Sequence, residues 1–279
     1  MNNGITRRTC QGLVAIITVL LSICSSVAAS DSGLIRKRDA NKDGVVDQVA
    51  EFDDKGRLVS LAVDDNHDGV MDTFQYYVHG ELVRLEKDMD VKPGIDVRSY
   101  FKDGRKIRQE RLDDHGNIQQ EMALDATGKP VEIREDTNAD QKIDTVYYIE
   151  RGQILRIAHD PDGDGVTNVL DLYENGVLVE RRNDGDGDGM QEEWLFFHAD
   201  GSLARRQVDT DQNGKLDMLE IYRNGMIHLQ QWDLDQDEQY EKIAFFEKGT
   251  IIRIEEDSDL DGIRETALTY GNGRPLVQT

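Results

Sequence analysis

The chain is strongly acidic and poor in apolar residues. Its 279 residues include 56 Asp and Glu against 33 Lys and Arg, which gives a net charge of −23, and only 38% of them are hydrophobic. Nucleic acid and anionic membrane surfaces repel a polyanion of this kind, so the composition excludes both as partners. The low apolar content argues against a deep globular core, whereas 25 Gly and regularly spaced Leu, Ile and Tyr argue against simple disorder.

The first 29 residues have the features of an export signal. Arg7 and Arg8 precede an apolar stretch that ends at Ile23 and is too short for a comfortable membrane span, and small residues follow up to Ala29. We therefore expect a cleaved signal peptide and a location in the periplasm, on the cell surface or outside the cell, with no transmembrane span in the mature chain. Lipid attachment at Cys24 is the less favoured alternative, because Ile23 stands where a lipoprotein signal has a small residue.

Both cysteines of the chain, Cys10 and Cys24, lie in this signal segment. The mature chain therefore has no disulfide, although it is exported. Cleavage also removes two arginines and leaves 31 basic residues against 56 acidic ones, a net charge of −25. Because no disulfide stabilises the mature chain, its fold needs another source of stability.

A unit of roughly 24 residues repeats through the rest of the chain. After a lead-in at 30–38, an acidic nine-residue segment recurs in phase, so that 39–279 forms one repeat domain. A worn copy starts at Asp88, and the stretch from Asp113 is in phase but has lost the motif. The eight copies that keep the acidic pattern start at Asp39, Asp64, Asp136, Asp160, Asp184, Asp209, Asp233 and Asp257.

Between the acidic segments, each repeat has the pattern of a β-hairpin. The first Asp of each acidic segment is counted as position one of the repeat. A Gly follows position fourteen by three or four residues, as in Asn175-Gly176 and Asn224-Gly225, and such pairs tolerate the positive φ of a tight turn. The pattern predicts an all-β, elongated antiparallel meander of about ten hairpin units, with the acidic loops on one edge and the Gly turns on the other. A parallel β-solenoid is the alternative. Position fourteen, a predicted packing position, holds Phe52, Tyr77, Phe101, Ile149, Tyr173, Phe197, Tyr222, Phe246 and Tyr270.

The acidic segments have the D-x-[DN]-x-[DN]-G spacing of a calcium loop. Positions one, three and five of such a loop converge on a hard cation that takes about six to eight oxygens, Gly at position six permits the sharp turn, and an acid at position nine completes the shell. We therefore predict several Ca²⁺ ions per chain, up to about eight, and no catalytic residue. The predicted ligands are Asp39, Asn41, Asp43, Asp47, Asp64, Asn66, Asp68, Asp72, Asp136, Asn138, Asp140, Asp144, Asp160, Asp162, Asp164, Asn168, Asp184, Asp186, Asp188, Glu192, Asp209, Asp211, Asn213, Asp217, Asp233, Asp235, Asp237, Glu241, Asp257, Asp259, Asp261 and Glu265.

Several copies depart from this pattern. Gln141 and Glu238 replace the Gly at position six in two of the eight loops. The worn copy has Lys92 at position five and Pro93 at position six, from which we predict no ion there. Six loops lack an acid at position twelve, where an EF-hand has its bidentate Glu, and the flanking segments have strand periodicity, so helical EF-hands are not expected.

With these loops between strands, the chain resembles known calcium-binding repeats. The D-x-D-x-D-G-x-x-D loop is similar to those of integrin-type FG-GAP repeats, thrombospondin type-three repeats and dockerins, and the hairpin half resembles MORN and YD-type repeats. The whole unit resembles exported bacterial tandem-repeat proteins over residues 34–279. This resemblance implies calcium binding through the acids at positions one, three, five and nine, and it carries no known activity. The unit is too short for a propeller blade and lacks dockerin helices, so neither fold is expected.

Other residue patterns point to no further chemistry. The six His are scattered through turns without the spacing of a zinc site, and no nucleotide-binding or nucleophile motif occurs. Arginines recur in the second strand of several hairpins. They predict a cross-strand ladder in which each arginine faces neighbouring acids, and the alternative is a binding site for an acidic glycan. These arginines are Arg84, Arg108, Arg156, Arg205 and Arg253.

The leading hypothesis is a non-catalytic, exported calcium-binding protein in which the ions stiffen a scaffold or a surface and adhesion module. Its partner beyond calcium is unknown, and a surface glycan or a protein would both suit it. One alternative is a cation-dependent glycan-processing hydrolase, which requires one repeat to carry additional polar residues. The other is a metal-independent spacer or partner-docking surface.

Overall fold

The computed structural model describes residues 34–90, 92–271 and 274–278. The predicted signal peptide, with Cys10 and Cys24, lies outside these residues. The described part of the chain contains no helix, and hence none of the length and apolar character needed to cross a membrane.

The described residues form 21 strands. These are β1 Leu34–Arg38, β2 Gln48–Phe52, β3 Leu58–Val63, β4 Thr73–Val78, β5 Glu81–Lys87, β6 Val97–Lys102, β7 Arg105–Leu112, β8 Ile118–Leu124, β9 Pro130–Glu135, β10 Thr145–Glu150, β11 Gln153–His159, β12 Val169–Glu174, β13 Val177–Asn183, β14 Glu193–Phe197, β15 Leu203–Val208, β16 Met218–Arg223, β17 Met226–Trp232, β18 Lys242–Glu247, β19 Thr250–Glu256, β20 Thr266–Gly271 and β21 Arg274–Gln278.

Each strand pairs with the next one along the chain, and every pairing is antiparallel. The result is one open sheet in which β1 and β21 are the edge strands. The predicted elongated meander is confirmed, and the parallel solenoid is wrong because the Gly turns reverse the chain after every first strand.

The Gly turns lie together on one edge of the sheet, as predicted. Asn175 and Gly176 have φ of 52° and 80°, the two positive values that a type I′ hairpin turn requires. A longer variant occurs where the N–H of Gly56 donates to the carbonyl of Asp53 (3.0 Å). A β-bulge precedes most of these turns, for example where the register shifts between Tyr76 and Tyr77.

The opposite edge carries the acidic loops. The stretch from Asp113, which has lost the motif, connects β7 and β8 on this edge by a short turn in which the N–H of Gly116 donates to the carbonyl of Asp113 (2.9 Å). The prediction that all six His lie in turns is wrong for His159 and His228, which lie in β11 and β17.

Apolar burial is shallow because strands pack only against their sequence neighbours. The buried hydrophobic residues of the described chain are Phe52, Leu112, Ile243 and Ala244. Most position-fourteen residues pair with apolar residues beside the turns, as Tyr222 does with Ile227, whereas Phe101 pairs with Lys106. Burial, together with a hydrogen bond to Glu220, raises the pKa of Tyr222 to about 12. A deep core is absent from these residues, as the composition predicts.

Candidate metal centres

Each of the eight candidate loops turns around its first aspartate. In the Asp184 loop, Oδ2 of Asp184 accepts a hydrogen bond from the N–H of Gly189 at position six (2.8 Å), where φ is 91°. The equivalent bond is present in all eight loops. Position six therefore has the turning role that the sequence predicts.

Position four is a second constraint, which the sequence reasoning missed. It has positive φ in all eight loops, with values of 66° at Lys42, 61° at His67 and 63° at Leu260. Six of the eight residues at this position are not Gly, so no residue type marks it in the sequence. Gln141 and Glu238, at position six, keep φ of 75° and 74°. The loop conformation therefore persists without Gly, at a cost of roughly 1–2 kcal/mol for each such residue.

The acid at position nine closes the loop from its other end. Oε2 of Glu192 accepts the N–H of Gly185 at position two (2.7 Å). In the Asp160 loop, position two is Pro161, which has no N–H, and Oδ1 of Asn168 at position nine is buried without a hydrogen-bond partner. Position nine thus has a structural role in addition to its predicted ligand role.

Carboxylates converge in the loops that are richest in acids. Within each cluster, the residues offer oxygens that all lie within 4.8 Å of one another, a donor set that fits a hard cation such as Ca²⁺. Three clusters use all four predicted positions, and one uses three. They consist of Asp184, Asp186, Asp188 and Glu192; of Asp233, Asp235, Asp237 and Glu241; of Asp257, Asp259, Asp261 and Glu265; and of Asp160, Asp162 and Asp164.

Four further candidate loops contain Asn in the predicted ligand set and, like the Asp160 loop with Asn168, have three carboxylates at the four positions. In the Asp39 loop, Nδ2 of Asn41 donates to Oδ2 of Asp43 (2.8 Å). In the Asp209 loop, Nδ2 of Asn213 donates to Oδ2 of Asp211 (2.8 Å). In each of these two loops, an Asn amide therefore satisfies one carboxylate oxygen of the predicted ligand set.

The worn loop at Asp88 also gathers acids. Asp88, Asp90 and Asp96 offer oxygens within 4.8 Å of one another, and Oδ1 of Asp88 is buried without a hydrogen-bond partner. The sequence predicts that no ion binds here because Lys92 stands at position five. In the structure, however, Lys92 forms an ion pair with Asp114 in the next turn (2.6 Å). The ammonium group thus pairs outside the cluster.

Electrostatic effects differ between the closing acids and the inner acids. Burial of Asp47 favours a higher pKa, but hydrogen bonds from the N–H groups of Asn41 and Ala40 outweigh it, so the pKa of Asp47 lies below its ordinary value. The negative charge of Asp261 instead raises the pKa of Asp259 at position three. The inner carboxylates of the Asp257 loop therefore repel one another, and a bound cation would remove this repulsion.

Neighbouring loops are tied together by the backbone. The N–H at position one of a loop donates to the carbonyl at position nine of the preceding loop, as from Asp257 to Glu241 (2.8 Å). Nη2 of Arg264 in the Asp257 loop also donates to the carbonyl of Tyr240 in the preceding loop (2.6 Å). Consecutive loops are therefore joined by hydrogen bonds to backbone carbonyls.

Four of the five recurrent arginines stack on aromatic rings of the neighbouring strand. The guanidinium carbon of Arg156 lies 3.8 Å from the ring centroid of Tyr148, and that of Arg205 lies 3.9 Å from that of Phe196. Arg84 and Arg108 stack in the same way and also pair with Glu86 and Glu110 on their own strands. Of the predicted cross-strand pairs, Arg108 forms one with Glu121 (3.4 Å). Sequence reasoning missed the aromatic partners because they become neighbours only through the strand register.

The negative charge of the chain is not spread over the sheet. We call the side of the sheet that carries these arginines the arginine face. Its two central cross-strand rows are nearly balanced in charge, so the excess acid lies mainly in the loops. The basic residues of these rows are Lys37, Arg84, Arg98, Arg108, Arg134, Arg156, Arg182, Arg205 and Arg253, and the acidic ones are Glu51, Glu86, Glu110, Glu121, Glu132, Glu180 and Glu255.

Comparison with known proteins assigns no family to the chain. No protein-family model matches it, and no curated protein matches it. Among solved structures, the chain has a limited likeness to accessory secretory protein 1, 2 and 3 of Streptococcus pneumoniae, with 15% identity, a TM-score of 0.28, and coverage of 33% of this chain and 18% of that one.

Two other solved structures are similarly distant. TarM of S. aureus has 10% identity and a TM-score of 0.22, with coverage of 46% of this chain and 22% of that one. The TcdB2-TccC3-Cdc42 structure has 12% identity and a TM-score of 0.19, with coverage of 86% and 18%. The chain thus spans about a fifth of the length of these proteins.

Proposed function

We propose that the chain is a non-catalytic, exported calcium-binding repeat protein. Ca²⁺ orders the acidic loops and stiffens the open sheet, which serves as a scaffold or as a surface and adhesion module. The observation that carries this proposal is the convergence of four carboxylates at the same four positions in three loops on one edge. Oxygen donors at this spacing suit Ca²⁺ better than metals that prefer nitrogen or sulfur.

The charge of the chain supports a cation-dependent fold. Eight Ca²⁺ ions in the eight candidate loops bring 16 positive charges and reduce the net charge from −25 to −9. The sheet has few buried apolar residues, and the mature chain has no cysteine for a disulfide. Ions that bind only the folded chain stabilise it by mass action, so calcium takes the place of a deep core. We expect affinities on the order of 10⁻⁴ to 10⁻³ M, as in extracellular calcium modules.

Calcium removal tests this function. Residues 30–279 are compared in calcium and in EDTA by circular dichroism and thermal melting, and bound ions are counted by elemental analysis. We expect several ions per chain, a lower melting temperature in EDTA and a loss of β-structure or of cooperativity. An unchanged spectrum and melting temperature, with no calcium bound, would show that the function is wrong.

A loop variant tests the ligand assignment. Asp186→Ala combined with Asp188→Ala removes two of the four carboxylates of one cluster. We expect about one ion fewer per chain, because each loop binds one ion. The matched control is Asp103→Ala in a Gly turn on the other edge, which leaves the ion count unchanged.

A further inference from the structure

The Asp233 loop carries more negative charge than any other candidate loop. Its nine residues contain five acids and no Lys or Arg, whereas the other seven contain four acids or fewer. Four of these acids are predicted ligands, as in the Asp184 and Asp257 loops, and Glu238 adds a fifth negative charge that attracts a cation to the loop. The five acids are Asp233, Asp235, Asp237, Glu238 and Glu241.

Burial distinguishes this loop from the other two four-acid clusters, although Asp209 and Asp217 of the less acidic Asp209 loop are buried as well. Asp233 is 7% exposed and Glu241 is 5% exposed, so the first and last ligands are both withdrawn from solvent. In the other two four-acid clusters only the first aspartate is buried, since Glu192 is half-buried and Glu265 is exposed. Withdrawal from water strengthens the attraction between a carboxylate and a cation.

One oxygen of this loop has no partner. Oδ2 of Asp233 accepts the N–H of Glu238 (3.0 Å), but Oδ1 of Asp233 is buried without a hydrogen bond. In the Asp209 loop, by contrast, Oδ1 of Asp209 accepts the N–H of Asn213 (3.2 Å) and Oδ2 accepts that of Gly214 (2.7 Å). A buried charged oxygen without a partner is destabilising. A bound cation would satisfy this oxygen, because three further carboxylates offer oxygens within 4.8 Å of a carboxylate oxygen of Asp233.

We propose that the Asp233 loop is the tightest cation site of the acidic edge and the first to fill with Ca²⁺. This inference rests on the proposed calcium binding and adds an order of loading to it. The sequence motif alone would rank this loop low as a calcium site, because Glu238 replaces the Gly of position six. In the structure Glu238 nevertheless has the φ of 74° that the turn requires, so the replacement adds a charge and keeps the geometry.

A comparison of two variants of the full chain tests the order of loading. Asp233→Asn removes the charge of the buried, unpartnered carboxylate, and Asp209→Asn is the matched control at position one of a loop whose carboxylate is already hydrogen-bonded. The protein is stripped with a chelator and titrated with Ca²⁺ by calorimetry. Titration with Tb³⁺ adds an optical signal for ions in this part of the edge, because Trp232 precedes the Asp233 loop and pairs with Met218 at the end of the Asp209 loop.

We expect Asp233→Asn to weaken the first binding phase about tenfold or more, and Asp209→Asn to leave that phase unchanged. Retention of the first phase in Asp233→Asn, or equal losses in the two variants, would overturn the order of loading while calcium binding stands. Absence of calcium binding by the unmodified chain would overturn the proposed function itself. If Asp233→Asn does not fold, Asp237→Asn replaces it, since Asp237 is exposed and belongs to the same cluster, and the same loss of the first phase is expected.

Discussion

Glu110 is the most deeply buried acid of the arginine face. It is 1% exposed, and its Oε2 accepts hydrogen bonds from Nη1 of Arg98 (3.0 Å) and from the hydroxyl of Tyr100 (3.2 Å), while Arg108 pairs with its other oxygen. Removal of one member of a buried pair costs roughly 3–5 kcal/mol. Because Arg98 and Arg108 are 28% and 40% exposed, we expect Glu110→Ala to lower the free energy of unfolding by about 2 kcal/mol, measured by urea denaturation in calcium.

The control for this prediction lies on the next strand. Glu121 is 25% exposed, and its Oε2 lies 3.4 Å from Nε of Arg108. An exposed pair of this kind contributes less than about 1 kcal/mol, so Glu121→Ala should have a small effect. Equal losses in the two variants would mean that burial does not decide the strength of these pairs.

Among the structural elements, the hairpin turn is the one that depends most directly on residue type. Gly176 has φ of 80°, and an added Cβ is unfavourable in this conformation by about 1–2 kcal/mol. We therefore expect Gly176→Ala to lower the free energy of unfolding by that amount, measured by urea denaturation. Gly185→Ala is the control, because the φ of Gly185 is not positive and its Cβ would meet only an ordinary contact with Glu192 (3.7 Å). A large loss in the control would contradict the assignment to turn geometry.

The same turns explain how much of the fold the sequence could predict. Asn175-Gly176 is visible as a pair because positive φ selects Asn and Gly, and a two-residue reversal forces an antiparallel partner. The positive φ at Lys42 and Leu260 was not predictable, since loop hydrogen bonds impose it whatever the side chain. The stacking of Arg156 on Tyr148 was equally hidden, because it depends on the register of the hairpin and on the bulge that shifts this register beside Tyr148.

At the scale of the whole molecule, the repeat predicts a one-dimensional array. Each strand contacts only its neighbours, so stability is built from hairpins and from the interfaces between them. The sequence predicts the acidic edge because the loops recur in phase. It does not reveal the difference between the Asp233 and Asp209 loops, which have similar motifs and differ in the hydrogen bonds of their first carboxylate.

The acidic edge makes the stability of the ion-free chain depend on salt. Adjacent loops lie about 9.6 Å apart, two strand spacings, where two unit charges repel by only ~0.4 kcal/mol in water. Each loop presents several carboxylates to its neighbours, so the repulsion along the edge sums to several kcal/mol at low ionic strength. Salt screens charges beyond a Debye length of about 8 Å at physiological ionic strength. We therefore expect the melting temperature in EDTA to rise by several degrees between about 0.02 M and about 0.5 M NaCl.

The same titration in calcium provides the comparison. Bound ions neutralise much of the charge in each loop, so the melting temperature of the calcium-loaded chain should depend much less on NaCl. Screening also weakens the attraction between Ca²⁺ and the loops, so the two melting curves should approach each other at high salt. Parallel rises in calcium and in EDTA would instead indicate a general salt effect on apolar burial. In that case repulsion between loops would not be what limits the stability of the ion-free sheet.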